Sequence, residues 1–193
     1  MTEEYYQDIK GEYLKNIKSI ISETGGLQPH VTVFAVKRSD DDESEEDSKI
    51  EKNAIIHIPV PSKFMDSERG KDLFVNKMIP EIAVELNKRF EPQGVAWAAE
   101  GWFREAHVDD FDPEVDDYKE LPIKKEVVII SIESDTHNDC YVYELKRNGK
   151  QVNSDGAFID IIELVEMIDA GEKPVSGRFT GLYKKFLNPK KYD

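Results

Sequence analysis

The sequence predicts an α+β fold, a mainly antiparallel sheet of about five strands with about three helices packed on one face. Three observations predict it. Apolar residues near the N-terminus recur at helical steps. Several later segments are rich in valine and isoleucine, which crowd a helix and suit a pleated surface. Turn residues or acidic stretches separate those segments, so that successive strands can fold back on one another. The chain has 193 residues, 39% hydrophobic, 34% charged and 10% aromatic. That length suits one core, and the aromatic content excludes a disordered chain. A single domain is expected over 1–172, with acidic loops at 39–48 and 108–117. A basic, aromatic tail at 173–193 is expected to pack on the domain or extend from it.

Each element has a local reason. Tyr6, Ile9, Tyr13, Ile17, Ile20 and Ile21 share one helix face, and Gly25 and Gly26 stop the run, so a first helix spans about 3–23. HVTVFAVK (30–37) and NAIIHIPV (53–60) read as two strands, joined by the like-charged loop SDDDESEEDS. Ser67 can cap a second helix over about 67–90, which carries Leu73, Ile79, Ile82, Ala83, Leu86 and Phe90. Pro80 lacks an amide hydrogen, so that helix should kink or restart there. VAWAAEGWFRE (95–105) reads as a strand, although its alanines also allow a helix. KKEVVIISIES carries a continuous Val/Ile core and reads as a central strand covered on both faces. CYVYELKR followed by Asn148 and Gly149 reads as a strand entering a type I′ turn. Asp155 can cap a third helix that buries Phe158, Ile161, Ile162, Val165 and Ile168 and stops at Gly171.

The net charge of −14 disfavours adhesion to phosphate backbones or anionic lipid, so nucleic acid is not an expected partner. The charge is segregated: residues 173–193 hold six basic residues and one acid, leaving the rest of the chain at −19. Cys140 is the single cysteine and cannot form an intramolecular disulfide, and no signal segment opens the chain, so a cytoplasmic location is expected. No uninterrupted apolar stretch approaches about 18 residues, which argues against a membrane span.

Candidate chemistry centres on Glu100. In a strand, Ala98, Glu100, Trp102 and Arg104 share one face, while Trp97 lies on the other. An adjacent indole raises a carboxylate's pKa, as a general acid requires, whereas Arg104 lowers it, as an ion pair does. The ion pair with Arg104 is the favoured reading. His30 and His57 approach each other if their strands pair, and either of them with Glu100 would make a hydrolytic site. No spacing typical of a metal site occurs, and no cofactor is expected.

Glu144 and Lys146 have the ExK spacing of metal-dependent nucleases, yet Asp135 would lie about 10 Å from Glu144, too far to share a Mg²⁺. Cys140 follows His137 by three residues, but no third group orients such a pair. In the tail, Phe179, Tyr183, Lys184 and Lys185 interleave aromatics with cations, a pattern that suits single-stranded nucleic acid. The favoured reading of the tail is a basic segment lying on an acidic body, with its aromatics filling the core.

The order PHVTVFAV, HIPVPSKFM, a helix, VAWAAEGWF and KKEVVIISIES, spanning 30–134, resembles uncharacterised small proteins encoded by bacteriophages and marine viruses. The resemblance implies a phage or environmental origin, hence the cytoplasm of an infected host, and a compact α+β domain. It assigns no catalytic residue. The sequence thus favours a noncatalytic, phage-type accessory protein that binds a protein partner, with Trp102, Arg104, Phe179, Tyr183, Lys184 and Lys185 as candidate contacts. A hydrolase using Glu100 with His57 or His30, and an acidic DNA mimic, are the alternatives.

Overall fold

The computed structural model describes residues 2–38, 53–104, 123–169, 179 and 181–189. The elements run α1 (Glu3–Thr24), β1 (His30–Lys37), β2 (Asn53–Pro59), α2 (Ser62–Met65), α3 (Glu68–Leu73), a π-helical turn (Phe74–Met78), α4 (Ile79–Leu86), β3 (Phe90–Arg104), β4 (Ile123–Ser134), β5 (Asn138–Val152), β6 (Phe158–Asp169) and α5 (Leu182–Leu187). Six strands form one sheet in the order β2-β1-β3-β4-β5-β6, and each neighbouring pair is antiparallel. The class expected from the sequence, α+β with an antiparallel sheet, is the class observed. The acidic segments 39–48 and 108–117 lie outside the described residues.

The helices cover both faces of the sheet rather than one. Tyr6, Ile9, Tyr13, Ile17 and Ile21 of α1 pack on Phe34, Ala96, Ala98, Val128, Ile130 and Ile132. On the opposite face Phe74, Val75, Ile79 and Ala83, together with Leu182, Tyr183 and Phe186 of α5, cover Val31, Val33, Val95, Trp97 and Ala99. The reason lies in the central strands: alternating side chains of β3 are apolar on both sides, so each side needs a cover.

Local chemistry sets the ends of the helices. Gly25 closes α1 in the left-handed region at φ 75°, its amide donating to the Ile21 carbonyl. A Cβ there would lie 2.8 Å from the Asp160 amide nitrogen, so glycine is also what lets β6 approach the end of α1. Ser67 caps α3 by accepting from the Gly70 amide at 3.0 Å. The second helix restarts as Pro80 requires: the π-helical turn precedes α4, and Pro80 sits in the first turn of α4.

Two expectations at the C-terminal side are corrected. Asn148 and Gly149 make no hairpin turn; β5 runs through them with a register irregularity between Arg147 and Lys150, where Gly149 adopts φ 116°. The turn comes later, where Asn153 Oδ1 accepts the Asp155 and Ala157 amides at 3.1 and 2.9 Å, and Gly156 takes φ 78°. Asp155 therefore belongs to a hairpin, and the segment after it is strand β6, not a helix. Phe158, Ile161, Ile162 and Val165 fit a helical step, but their β-branched neighbours and the pairing with β5 from Val152↔Phe158 to Tyr141↔Asp169 prevail.

Candidate functional site

The strand assignment holds over 95–104, residue 105 lying outside the described residues, and Trp97 and Trp102 fall on opposite faces of β3. Trp97 is buried and stacked flat on Phe179, with ring centroids 3.9 Å apart at 3°, whereas Trp102 is 59% exposed. Glu100 lies on the α1 face, where its Oε1 accepts the Leu27 amide at 2.5 Å and its Oε2 lies 3.6 Å from Arg147 Nη2. The cation beside Glu100 is thus Arg147 of β5. The side chain of Arg104 lies outside the described residues, and the β3–β4 register shifts between Phe103 and Arg104.

Arg147 organises several segments. Its Nε and Nη2 donate to Glu126 at 2.9 and 2.7 Å, a bidentate pair, and Nη1 donates to Asp160 at 2.8 Å and to the Gly25 carbonyl at 3.1 Å. One guanidinium therefore ties β3, β4, β6 and the cap of α1 together. Glu100 extends the tie to the α1–β1 connection through Leu27. A carboxylate committed to an amide and a guanidinium is poorly disposed to act as a general acid.

His30 and His57 do come together, because β1 and β2 pair with Thr32 opposite His57 and His30 opposite Pro59. Their ring centroids are 6.0 Å apart. His30 Nδ1 lies 2.9 Å from the Gln28 carbonyl, which can only accept, so Nδ1 carries the proton. Nε2 is then the acceptor for the Tyr13 hydroxyl at 3.2 Å. Burial holds the pKa of His30 below its ordinary value, in keeping with a neutral ring. Both nitrogens are used, leaving no lone pair for a base or a metal. His57 Nδ1 lies 2.9 Å from the hydroxyl of the buried Thr32. Burial pushes the Tyr13 phenol up, with the Thr32 hydroxyl opposing.

Glu100, His30 and His57 line one cleft of about 720 Å³, bounded by Asn16, Ile20, residues 24–29 and Pro59. A smaller section of about 240 Å³, lined by Ile9, Glu12, Tyr13, Phe34 and Ile55, shares Asn16 and His57 with it. Both sections lie beside α1 and β2, with Asn16 and His57 between them. Among the described residues, no group of three or more His, Cys, Asp or Glu is arranged to hold a metal ion.

The remaining candidates are dispersed. Glu144 pairs with Val127 and lies 3.4 Å from Lys125, while Asp135 sits in the β4–β5 turn, past Glu133, which is itself six strand steps or about 20 Å from Val127. That separation exceeds the 10 Å expected and leaves no ExK metal site. Cys140 is buried with Val127 and Val142, and burial pushes its thiol up, away from thiolate chemistry. His137 is stacked on Tyr6 at 3.9 Å and lies 2.8 Å from Glu3. In the tail, Phe179 covers Trp97, Tyr183 is buried, Lys184 is exposed, and Lys185 donates to Asn76 at 3.0 Å. These aromatics fill the core and present no platform for bases. No helix among the described residues is long and apolar enough to cross a membrane.

The sequence gives no site role to Arg147 or Thr32, and reads Tyr13 only as part of a buried helix face. A signal for Arg147 was present: Tyr141, Tyr143 and Leu145 alternate on one face, and the next residue in that series is Arg147. Comparison with family models, curated proteins and solved structures finds no match for this chain.

Proposed function

We propose that this chain is a noncatalytic, phage-type accessory protein that acts by binding another protein, with Trp102 as an anchor. The observation that supports this is the 59% exposure of a tryptophan on a strand whose next inward neighbour, Glu100, is fixed by hydrogen bonding. A rigid, exposed indole offers a large contact area with little ordering cost, and tryptophan is enriched among residues that dominate binding energy. It lies two residues beyond the cleft residue Glu100, on the same face. The hydrolase reading draws on the same cleft, but Glu100 and His30 already have partners in the fold.

Trp102→Ala is expected to lower retention of the protein partner, captured from an extract of the expressing cells, by about thirtyfold, the equivalent of about 2 kcal/mol. Urea unfolding should change by less than about 1 kcal/mol, because most of the indole is already in water. Equal retention by both proteins would sink the reading. So would turnover of an ester or amide panel by the wild type that Glu100→Gln and His57→Ala abolish.

A further inference from the structure

We infer that the larger cleft binds a small molecule with an apolar body and a hydroxyl or amino group, which donates a hydrogen bond to Nε2 of His57. This goes beyond the protein-binding reading and does not depend on Trp102. A chain of hydrogen bonds that starts at the Gln28 carbonyl sets the state of His57. That carbonyl only accepts, so His30 Nδ1 carries a proton and Nε2 of the neutral ring is a lone pair. The Tyr13 hydroxyl donates to this lone pair at 3.2 Å, which leaves the phenol oxygen to accept from the Thr32 hydroxyl. Thr32 is fully buried and its proton is engaged by Tyr13, so its oxygen accepts from His57 Nδ1 at 2.9 Å. His57 is thereby held with its proton on Nδ1. The opposite sense along the chain would require a second proton on His30, which burial opposes.

Fixing the proton on Nδ1 leaves a lone pair on Nε2. That nitrogen has no hydrogen-bond partner among the described residues, and His57 is exposed and lines the cleft. The cleft has a volume of about 720 Å³, within the range of small-molecule sites. Ile20, Leu27, Pro29 and Pro59 in its walls suit an apolar body. A carboxylate ligand is disfavoured, because it would bring lone pairs to a lone pair, and Glu100 but no lysine or arginine lines the cleft. Thr32 lies opposite both His57 and Ala96, and Glu100 is four residues beyond Ala96. Strand spacing and rise place Glu100 about 16 Å from His57, backbone to backbone. The two groups therefore address different ends of a ligand.

The test uses the full chain labelled with ¹⁵N at about pH 8, where an ordinary imidazole is neutral. Long-range proton–nitrogen correlation of the imidazoles is expected to show His57 protonated on Nδ1. Thr32→Val, which keeps the shape and removes the hydroxyl, should move that proton toward Nε2. Three probes with one aromatic body then read the cleft: phenethyl alcohol, phenethylamine and phenylacetate. The alcohol and the amine should shift the amides of 24–30 and of His57 and move the His57 Nε2 resonance. Phenylacetate should bind at least about tenfold more weakly, and His57→Ala, at an exposed position that tolerates change, should weaken the alcohol by about tenfold. A wild-type His57 protonated on Nε2 would overturn the inference. So would equal binding of phenylacetate, shifts confined to other elements or absent with every probe, or unchanged binding of the alcohol by His57→Ala.

Discussion

Arg147→Ala is expected to cost about 3 kcal/mol of folding stability, more than an exposed ion pair would suggest. The guanidinium is only about a third exposed, at 32%, and it serves five oxygens at once, on Glu126, Asp160, Glu100 and the Gly25 carbonyl. Its removal leaves three carboxylates facing one another with no cation between them and a helix-cap carbonyl short of a donor. Arg147→Lys keeps the charge but loses the planar fork that meets Glu126 through two hydrogen bonds, so it should recover only part of the loss. Arg147→Ala combined with Glu126→Gln should be more stable than the sum of the two single losses predicts, because the second change removes part of the repulsion. Urea unfolding of these variants and of Glu126→Gln alone measures all of this. A loss below about 0.5 kcal/mol for Arg147→Ala would place the residue among ordinary surface charges.

The same residue shows where the sequence was legible and where it was not. Elements with one strong period were readable: α1 from its row of five buried positions, β1 and β2 from their β-branched content, and β3 as a strand between Gly94 and the acidic segment. The restart at Pro80 followed from a missing amide hydrogen. β6 was not readable, because its isoleucines satisfy helical and extended spacing alike, and only pairing with β5 decides between them. Asn148-Gly149 and Asp155-Gly156 are both dipeptides that readily turn. The side chain of Asn153, which bonds two amides beyond it, makes the second the hairpin. At the candidate site, the approach of His30 to His57 was inferable from the pairing of β1 with β2. The partner of Glu100 was not, since it is 47 residues away and reaches it only through the register of three strands.

The buried carboxylate Glu133 leads to the second large effect. It is 7% exposed at the end of β4, and it accepts the Gly181 amide at 2.7 Å and the Tyr183 amide at 3.1 Å, so it fastens the start of α5 to the sheet. Through that contact Leu182, Tyr183 and Phe186 are held in the core. Glu133→Ala strands two amides in a dry site and is expected to cost about 2–3 kcal/mol. The loss should depend on pH in a definite sense. Burial pushes the pKa of Glu133 up, with the amides of Tyr183, Gly181 and Leu182 and the charge of Lys184 only partly opposing. The folded protein therefore holds the Glu133 proton more tightly than the unfolded chain does. Its contribution to stability is full below the ordinary value of 4.5 and declines as pH rises from there through the raised value. The gap between wild type and Glu133→Ala, measured by urea unfolding at matched pH, should accordingly be widest at the acid end and narrow toward neutrality. A gap that widens as pH rises would show that the amides and Lys184 outweigh burial, making Glu133 a carboxylate stabilised by its charge.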